Sequence, residues 1–382
     1  MTPITLQGFS STDWARAANT TLAKYIREVE NDVLRNYQMG ALLEANGRLS
    51  YNNTGRGLVW PTLYRLHRLE GNTGETVRQF NRNNLWKQAN LEFRGYQDTD
   101  AITYKELKEN DGPEGLIKIW DGFTDRLTMS MRQGLAAEYY IDGTASGNET
   151  AWHGLESMFG TVVNTLNVST GVSQTKAAAD LVAVAPNTYA GIACAQGTYG
   201  GDQESGVVWP LGLASPEYDF WTPLIVNYTS TSFGGSADTW AAQGVEALRY
   251  GIIHSQRNTN ANGQITNIFL TRELYRLFLA QIDAYQKINI ERNQPNGLVS
   301  MGFKNTVVFD NVEVSWEAAI PESIGYGVNI QNMELLSMDD SLFRTEGPEY
   351  DMRQQSYIAC VSTLSNLKFA SPRNFVKWQN IA

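Results

Sequence analysis

The sequence has very few of the residues that most often build chemical sites. Its three histidines, His67, His153 and His254, have no second ligand at the spacing of a metal motif. Its two cysteines, Cys194 and Cys360, are too few for a disulfide framework, which favours a reducing compartment. No Gly-x-Ser-x-Gly elbow and no phosphate-binding loop with its Lys-Ser/Thr pair is present. We therefore predict no catalytic residues, no metal site and no cofactor.

Long apolar runs and a surplus of positive charge are missing as well. No window reaches the roughly 18 uninterrupted apolar residues of a membrane span, and residues 1–17 lack the layout of a signal peptide. The formal net charge is −10, whereas a general nucleic-acid-binding protein normally carries a basic surplus. What remains is a globular composition with 42% hydrophobic residues, in a chain long enough for two or three domains.

The longest regular pattern is helical and covers residues 111–143. Asp111 and Pro113 are favourable starting residues, and an Asp-Gly pair ends the pattern. Apolar residues recur every three or four positions, at Leu116, Trp120, Phe123, Leu127, Met131, Leu135 and Tyr139. This stripe predicts one helix at residues 113–141, roughly 40 Å long at about 1.5 Å per residue. Internal glycines leave open two shorter helices joined at a kink.

A basic hairpin is predicted before this helix. Residues 58–69 alternate as a strand, and Pro61 indicates an edge position. Residues 71–74 form a turn, and residues 76–93 return. Residues 54–94 hold seven Lys or Arg against three Glu, a local charge of +4. Since a lone hairpin is only marginally stable in water, this one is either a solvated loop or an arm that becomes ordered on an acidic neighbour.

The remaining pattern mixes helices and strands without βαβ alternation. An amphipathic helix is predicted at residues 20–38. After residue 236 the pattern gives a helix, a strand at residues 265–270 and a second helix. Residues 307–316 indicate two short strands about Asp310-Asn311, and residues 357–367 a longer strand. The mixture predicts the α+β class.

Short motifs follow these elements in a recognisable order. They are Gly-Leu at residues 154–155, Tyr-x-Gly-Ile at 189–192, Phe-Trp at 220–221, Thr-Arg-Glu-Leu-Tyr at 271–275 and Val-x-x-Asp at 307–310. Together with the hairpin and the long helix, the set resembles the major capsid proteins of tailed double-stranded DNA bacteriophages, which have the Hong Kong-phage-type fold. The resemblance spans nearly the whole chain. The wide gap before Phe-Trp indicates an inserted loop near residues 194–216.

The resemblance implies a division of the chain into six parts. They are an N-arm at residues 1–47, an extended loop at 48–104, a peripheral domain at 105–235 with a spine helix at 113–141 and the inserted loop, an axial domain at 236–330, peripheral return strands at 331–371 and a C-terminal tail at 372–382. No charged helical segment precedes the N-arm, so a separate scaffolding protein is expected.

The resemblance also implies a structural role instead of an enzymatic one. The chain would self-assemble into pentamers and hexamers of an icosahedral head that encloses double-stranded DNA without sequence-specific binding. It would belong to a virion assembled in the bacterial cytoplasm, with portal and decoration proteins as further partners and no membrane contact.

The extended loop would dock on the spine helix of a neighbouring subunit. Its candidate basic residues are Arg56, Arg65, Arg68, Arg78, Arg82 and Lys87. The candidate acidic partners are Asp121, Asp125 and Glu138. Lys87, the only lysine of the loop, lies away from the predicted tip, so no covalent cross-link between subunits is expected.

Two other functions fit parts of the pattern. An encapsulin-like compartment shares the fold and would assemble alone around a cargo enzyme. A carbohydrate-binding protein would use the 10 Trp and 18 Tyr of the chain, although their scattered positions favour anchoring of a core or an interface.

Overall fold

A computed structural model describes most of the chain in nine stretches. They are residues 37–64, 74, 84–109, 123–160, 182–183, 187–195, 220–256, 263–285 and 306–381. The chain divides into two compact units. The larger unit comprises Tyr37–Gly95, Ala136–Leu342 and Leu364–Ala382, and the described part of the smaller unit falls within Tyr96–Leu135 and Phe343–Thr363. The helix predicted at residues 20–38 lies outside the described residues except for its end.

Both helices and strands occur throughout the described residues. The helices are α1 Gln38–Ala45, α2 Tyr104–Glu109, α3 Phe123–Glu138, α4 Glu156–Phe159, α5 Trp240–Ser255 and α6 Arg272–Tyr285. The strands are β1 Leu49–Ser50, β2 Gly57–Leu63, β3 Trp86–Glu92, β4 Arg94–Thr103, β5 Val182–Ala183, β6 Thr188–Tyr189, β7 Ile192–Ala193, β8 Leu224–Asn227, β9 Asn267–Leu270, β10 Thr306–Phe309, β11 Val312–Trp316, β12 Ile324–Val328, β13 Met333–Ser337, β14 Arg344–Asp351, β15 Ser356–Phe369 and β16 Val376–Gln379. Short 3₁₀ helices lie at Thr231–Phe233, Ile330–Asn332 and Pro372–Asn374.

A mixed seven-stranded sheet forms the core of the larger unit, in the order β10-β11-β9-β12-β16-β8-β5. β11 is parallel to β9, and β16 is parallel to β8. The strands β8, β9 and β16 are buried at every residue, as expected for strands covered on both faces. α5 and α6 contribute their apolar stripes to the same core, with Leu248 and Ile252 from α5 and Leu274 and Phe278 from α6.

The helices and strands predicted for this region are confirmed, although some of their ends differ. β9 begins two residues later than the predicted strand, and α6 corresponds to the predicted second helix, with Leu274, Phe278 and Ile282 in the core. β10 and β11 pair about Asp310 and Asn311, whose positive φ angles of 46° and 68° form a two-residue turn suited to an antiparallel hairpin. The α+β class is confirmed as well.

Within residues 372–382, predicted as a C-terminal tail, residues 376–379 form the strand β16 of this sheet. β16 lies between β12 and β8, and the Trp378 indole N–H donates to the Ala247 carbonyl at 2.8 Å. The prediction was wrong because a lysine and a glutamine alternate with the apolar residues of this short strand and conceal it. Three strands of the sheet, β5, β8 and β16, come from outside residues 236–330, the range predicted for the axial domain.

The long helix ends three residues earlier than the predicted end of residues 113–141. Its predicted first half lies outside the described residues, and α3 ends at Glu138. The Ile141 amide donates to the Glu138 carbonyl, three residues back instead of four, at 3.4 Å. The Tyr139 carbonyl accepts from the Leu155 amide at 2.8 Å. Because neither group makes the hydrogen bond between residues four apart that defines an α-helix, the helix ends at Glu138. The predicted stripe is buried where it is described, at Leu127, Met131, Leu135 and Tyr139.

The longest strand, β15, contributes to both units. In the larger unit its last residues pair antiparallel with β13, which pairs in parallel with β1. In the smaller unit its first residues pair antiparallel with β14, and β4 also pairs with β15. The strand predicted at residues 357–367 is thus confirmed and extends slightly at both ends.

Two of the buried carboxylates of the larger unit, Glu156 and Glu317, accept hydrogen bonds from tyrosines. Lys377 of β16 places its Nζ 2.6 Å from Oε1 of Glu156, and the Tyr326 hydroxyl donates to the same carboxylate. Burial raises the pKa of Glu156, and the ion pair with Lys377 opposes this rise. The Tyr140 hydroxyl donates to Glu317 at 2.7 Å, and the rings of Tyr140 and Tyr326 lie 5.4 Å apart.

Substitution of Gly251 tests the close approach of α5 to β16. A Cβ at this position would lie 2.3 Å from the Trp378 ring, so Gly251→Ala must displace the indole. We expect a loss of about 1–3 kcal/mol in the free energy of unfolding, measured in urea. Gly134→Ala is the control, because nothing lies within 4 Å of its added Cβ, and it should gain up to about 1 kcal/mol. A stabilised Gly251→Ala would contradict this packing.

Candidate subunit-docking hairpin

The predicted basic hairpin is described at its base. β2 and β3 pair antiparallel, from Gly57 opposite Glu92 to Leu63 opposite Trp86. Alternate residues form an inner face that is buried or half-buried, comprising Leu58, Trp60, Thr62, Lys87, Ala89 and Leu91. The hairpin therefore has one packed face, which the mixed sequence pattern did not reveal.

The opposite, outer face is exposed and mixed, with polar residues at Gln88, Asn90 and Glu92 of β3 and apolar residues at its other exposed positions. Val59 is 53% exposed, Leu63 42% and Trp86 55%, and Leu63 lies directly opposite Trp86. Pro61 lies between Val59 and Leu63 on the same face and is exposed as well. Large apolar side chains gathered on one exposed face mark an interaction surface. The exposed indole is the kind of side chain that dominates the free energy of protein interfaces.

The predicted basic residues are only partly described. Arg56 is exposed, just before β2. Lys87 lies on the inner face, with its ammonium 5.4 Å from the centre of the Tyr64 ring. The other candidates lie outside the described residues, namely Arg65, Arg68, Arg78 and Arg82. The described part of the outer face therefore carries little charge, with Glu92 as its charged residue.

Of the predicted acidic partners, Glu138 is the one whose side chain the structure describes. Glu138 is the last residue of α3 and is half-buried. Asp125 belongs to α3, but its side chain is outside the description, as is all of Asp121. Docking of the hairpin on these residues of a neighbouring copy stays a prediction.

A buried asparagine on β15 joins the end of β3 to the segment at His153, all within the larger unit. Nδ2 of Asn366 donates to the Glu92 carbonyl at the end of β3, and Oδ1 accepts from the backbone amides of His153 and Leu367 at 2.9 and 2.8 Å. Nδ2 also lies 2.9 Å from Nδ1 of His153. Nδ1 is then an acceptor, so the neutral ring carries its proton on Nε2. Burial, followed by the charge of Arg94, lowers the pKa of His153 to about 4.

The described residues hold no group of three or more His, Cys, Asp or Glu that could bind a metal ion.

Cys194 is buried, and burial raises the pKa of its thiol to about 12, which suits a packing role and not a nucleophile. No described helix is both long enough and apolar enough to span a membrane.

The architecture is shared with solved viral shell structures, although no protein-family model and no curated protein matches the sequence. Structural similarity at 10–14% sequence identity establishes the fold alone. The chain therefore has the α+β fold of phage-type capsid proteins, in agreement with the resemblance noted in the sequence.

Two of these structures cover essentially the whole chain. The cyanophage A-1(L) capsid asymmetric unit matches with a TM-score of 0.58 and 14% identity, covering 100% of this chain and 99% of its own. The capsid of the native GTA particle, computed with C5 symmetry, matches with a TM-score of 0.50 and 10% identity, covering 98% of this chain and 100% of its own.

Acidification should loosen the attachment of the hairpin. The pKa of His153 in the folded chain lies below its ordinary value of 6.5. Its stabilising contribution is therefore present above pH 6.5 and is lost as the pH falls through about 4. We expect wild type to exceed His153→Gln in Tm at pH 7, and this difference to shrink toward pH 4 in scanning calorimetry. A constant difference across this range would contradict the assignment.

Proposed function

We propose that this chain is the major capsid protein of a tailed bacteriophage, with a structural role. It self-assembles into pentamers and hexamers that close an icosahedral head around double-stranded DNA. The observation that carries the proposal is the match of the complete chain to capsid proteins over essentially their whole length. Closed symmetry requires that each surface patch meet a defined partner patch, and the exposed outer face of the hairpin supplies one such patch.

The partners follow from this role. The chain contacts other copies of itself, a separate scaffolding protein during assembly, a portal protein at one vertex and decoration proteins. It forms a virion assembled in the bacterial cytoplasm. The net charge of −10 suits a shell that confines DNA without gripping it. The boundaries of the N-arm, extended loop, peripheral domain and axial domain remain proposals.

The outer face of the hairpin gives the proposed contact its free energy. Exposed ion pairs contribute only about 0–1 kcal/mol each, so the basic residues of the loop serve mainly to orient it on an acidic neighbour. Burial of Trp86, Leu63 and Val59 between copies removes apolar area from water at about 25 cal/mol per Å². Affinity therefore depends on these three side chains, and the charges select the partner surface.

Assembly of the purified chain tests the proposed function. The chain is produced with its scaffolding protein, and the products are examined by size-exclusion chromatography and negative-stain microscopy. We expect closed particles of uniform size. Persistent monomers under assembly conditions would overturn the proposal, and closed particles that form without a scaffold around a cargo enzyme would favour an encapsulin-like compartment.

Replacement of Trp86 should block assembly without unfolding the subunit. Trp86→Ser removes the largest exposed apolar side chain of the outer face, and we expect particle yield to fall at least tenfold while the circular dichroism spectrum is unchanged. Gln88→Ser on the same face is the matched control, because it removes a polar side chain and should assemble normally. Equal yields from the two variants would show that this face is not an interface.

Charge removal on the loop should slow assembly instead of abolishing it. Arg65→Gln with Arg68→Gln lowers the positive charge of the loop by two, so we expect slower particle formation and a weaker dependence of the rate on salt. The control is Arg249→Gln with Arg276→Gln, which removes two arginines from α5 and α6. Light scattering at two salt concentrations measures the rates. Identical salt dependence in both double variants refutes the steering role.

A further inference from the structure

The buried carboxylate of Glu317 differs from that of Glu156 in its partners. Lys377 pairs with Glu156, whereas no lysine or arginine of the described residues pairs with Glu317. Oε2 of Glu317 accepts from the Tyr140 hydroxyl at 2.7 Å, and Oε1 has no hydrogen-bond partner in the described part of the chain. Because an isolated charge is costly to remove from water, buried charges are paired or bind metal ions. Oε1 is therefore a candidate ligand for a cation.

Two buried hydroxyl groups lie on the same face of the sheet. Ser315 lies two residues before Glu317, and Thr306 of β10 lies directly opposite Ser315. Alternate residues of a strand share a face, and so do residues directly opposite each other in an antiparallel pair. The Glu317 amide donates to the Leu270 carbonyl at 3.0 Å, so strand bonding continues to this residue. Neither hydroxyl oxygen has a hydrogen-bond partner among the described residues.

Gln38 at the start of α1 supplies a fourth oxygen. Its Nε2 donates to the Trp316 carbonyl at 3.1 Å, so its Oε1 is the acceptor atom of the amide, and this oxygen also has no partner where the chain is described. We name these atoms the four-oxygen cluster, which comprises Gln38 Oε1, Thr306 Oγ1, Ser315 Oγ and Glu317 Oε1. None of the four residues is more than 6% exposed.

We propose that the four-oxygen cluster binds one monovalent alkali cation, Na⁺ or K⁺, between the start of α1 and the β10–β11 pair. Carboxylate, amide and hydroxyl oxygens are the ligands that hard cations prefer. One carboxylate among three neutral oxygens balances one positive charge, whereas a divalent ion would leave a buried charge uncompensated. The inference concerns the subunit itself and does not rest on the proposed function.

The described surroundings of the carboxylate supply only part of a counter-charge. The first turn of α1 contributes a partial positive charge of roughly half an elementary charge, and the Tyr140 hydroxyl adds one hydrogen bond. Burial outweighs these effects and raises the pKa of Glu317 to about 7. A bound cation would lower this pKa, because an opposite charge nearby favours the ionised carboxylate.

Thermal unfolding of the full chain in different chloride salts tests the site. Scanning calorimetry at about pH 8 compares NaCl and KCl with tetramethylammonium chloride at equal ionic strength, because tetramethylammonium is too large for a buried site of this kind. We expect a higher Tm in NaCl or in KCl. A cation present at about ten times its Kd should lower the unfolding equilibrium constant about tenfold.

Glu317→Gln should remove this dependence on the cation, because the neutral amide cannot balance its charge. Glu313→Gln is the matched control and should retain the dependence. Glu313 lies on the same face two residues before Ser315, is 3% exposed and accepts a hydrogen bond from Asn267 Nδ2 at 3.0 Å.

Thr306→Val provides a second test that does not depend on the charged residue. It removes a hydroxyl group and nearly keeps the shape of the side chain. In NaCl or KCl the variant should lose much of the stabilisation by the cation. In tetramethylammonium chloride its Tm should equal or exceed that of wild type, since a buried hydroxyl without a partner is unfavourable. A Tm lowered equally in all salts would contradict the site and indicate a buried water bound to Thr306.

Three further outcomes would overturn the proposal. Equal wild-type Tm values in the three salts would show that no alkali cation binds. A Tm that rises in CaCl₂ but not in NaCl or KCl would replace the monovalent ion with a divalent one. A Tm that changes with pH near 7 but not with the cation would show that a protonated Glu317 satisfies the cluster by donating its own hydrogen bond.

Discussion

The buried ion pair between Lys377 and Glu156 is the interaction on which much of the larger unit depends. Two charges removed from water are tolerated only when they satisfy each other, and loss of one partner typically costs about 3–5 kcal/mol. The pair joins the C-terminal strand β16 to α4, and Tyr326 ties β12 to the same carboxylate. A strand that would otherwise end the chain loosely is thereby fixed in the middle of the sheet.

The hairpin is positioned by hydrogen bonds to residues next to this ion pair. Asn366 lies on β15 and makes hydrogen bonds to β3 and to His153, which lies three residues before the start of α4. The same short segment, residues 153–159, therefore supplies the partner of Lys377 and the partner of the hairpin anchor. Buried hydrogen bonds therefore hold the hairpin whose outer face is proposed to bind other copies, so this surface is preorganised for binding.

Periodicity in the sequence was sufficient wherever an element buries one continuous face. α6, the β10–β11 turn at Asp310-Asn311 and the strand β15 were predicted because local patterns determine them. β16 was missed because Lys377 interrupts its apolar residues, and its burial depends on Glu156, which lies far away in sequence. α1 was missed because the preceding stripe drew the helix assignment to residues 20–38.

The candidate site shows the same limit. The sequence indicated an unusual basic hairpin, and the structure describes its base with an apolar outer face. Alternation placed Val59, Pro61 and Leu63 on one face, but Arg65 and His67 follow them and mask the apolar character. No local signal could indicate that Asn366 and His153 hold this hairpin, because hydrogen bonds between residues more than 200 positions apart leave no spacing to recognise.

The exposed apolar side chains of the hairpin also favour aggregation of the free chain. An apolar surface that is available to the correct partner is equally available to incorrect ones, so Trp86, Leu63 and Val59 make each unassembled chain prone to irregular association as its concentration rises. In the proposed assembly, chains would therefore have to join particles faster than they aggregate, which limits the concentration of free chain.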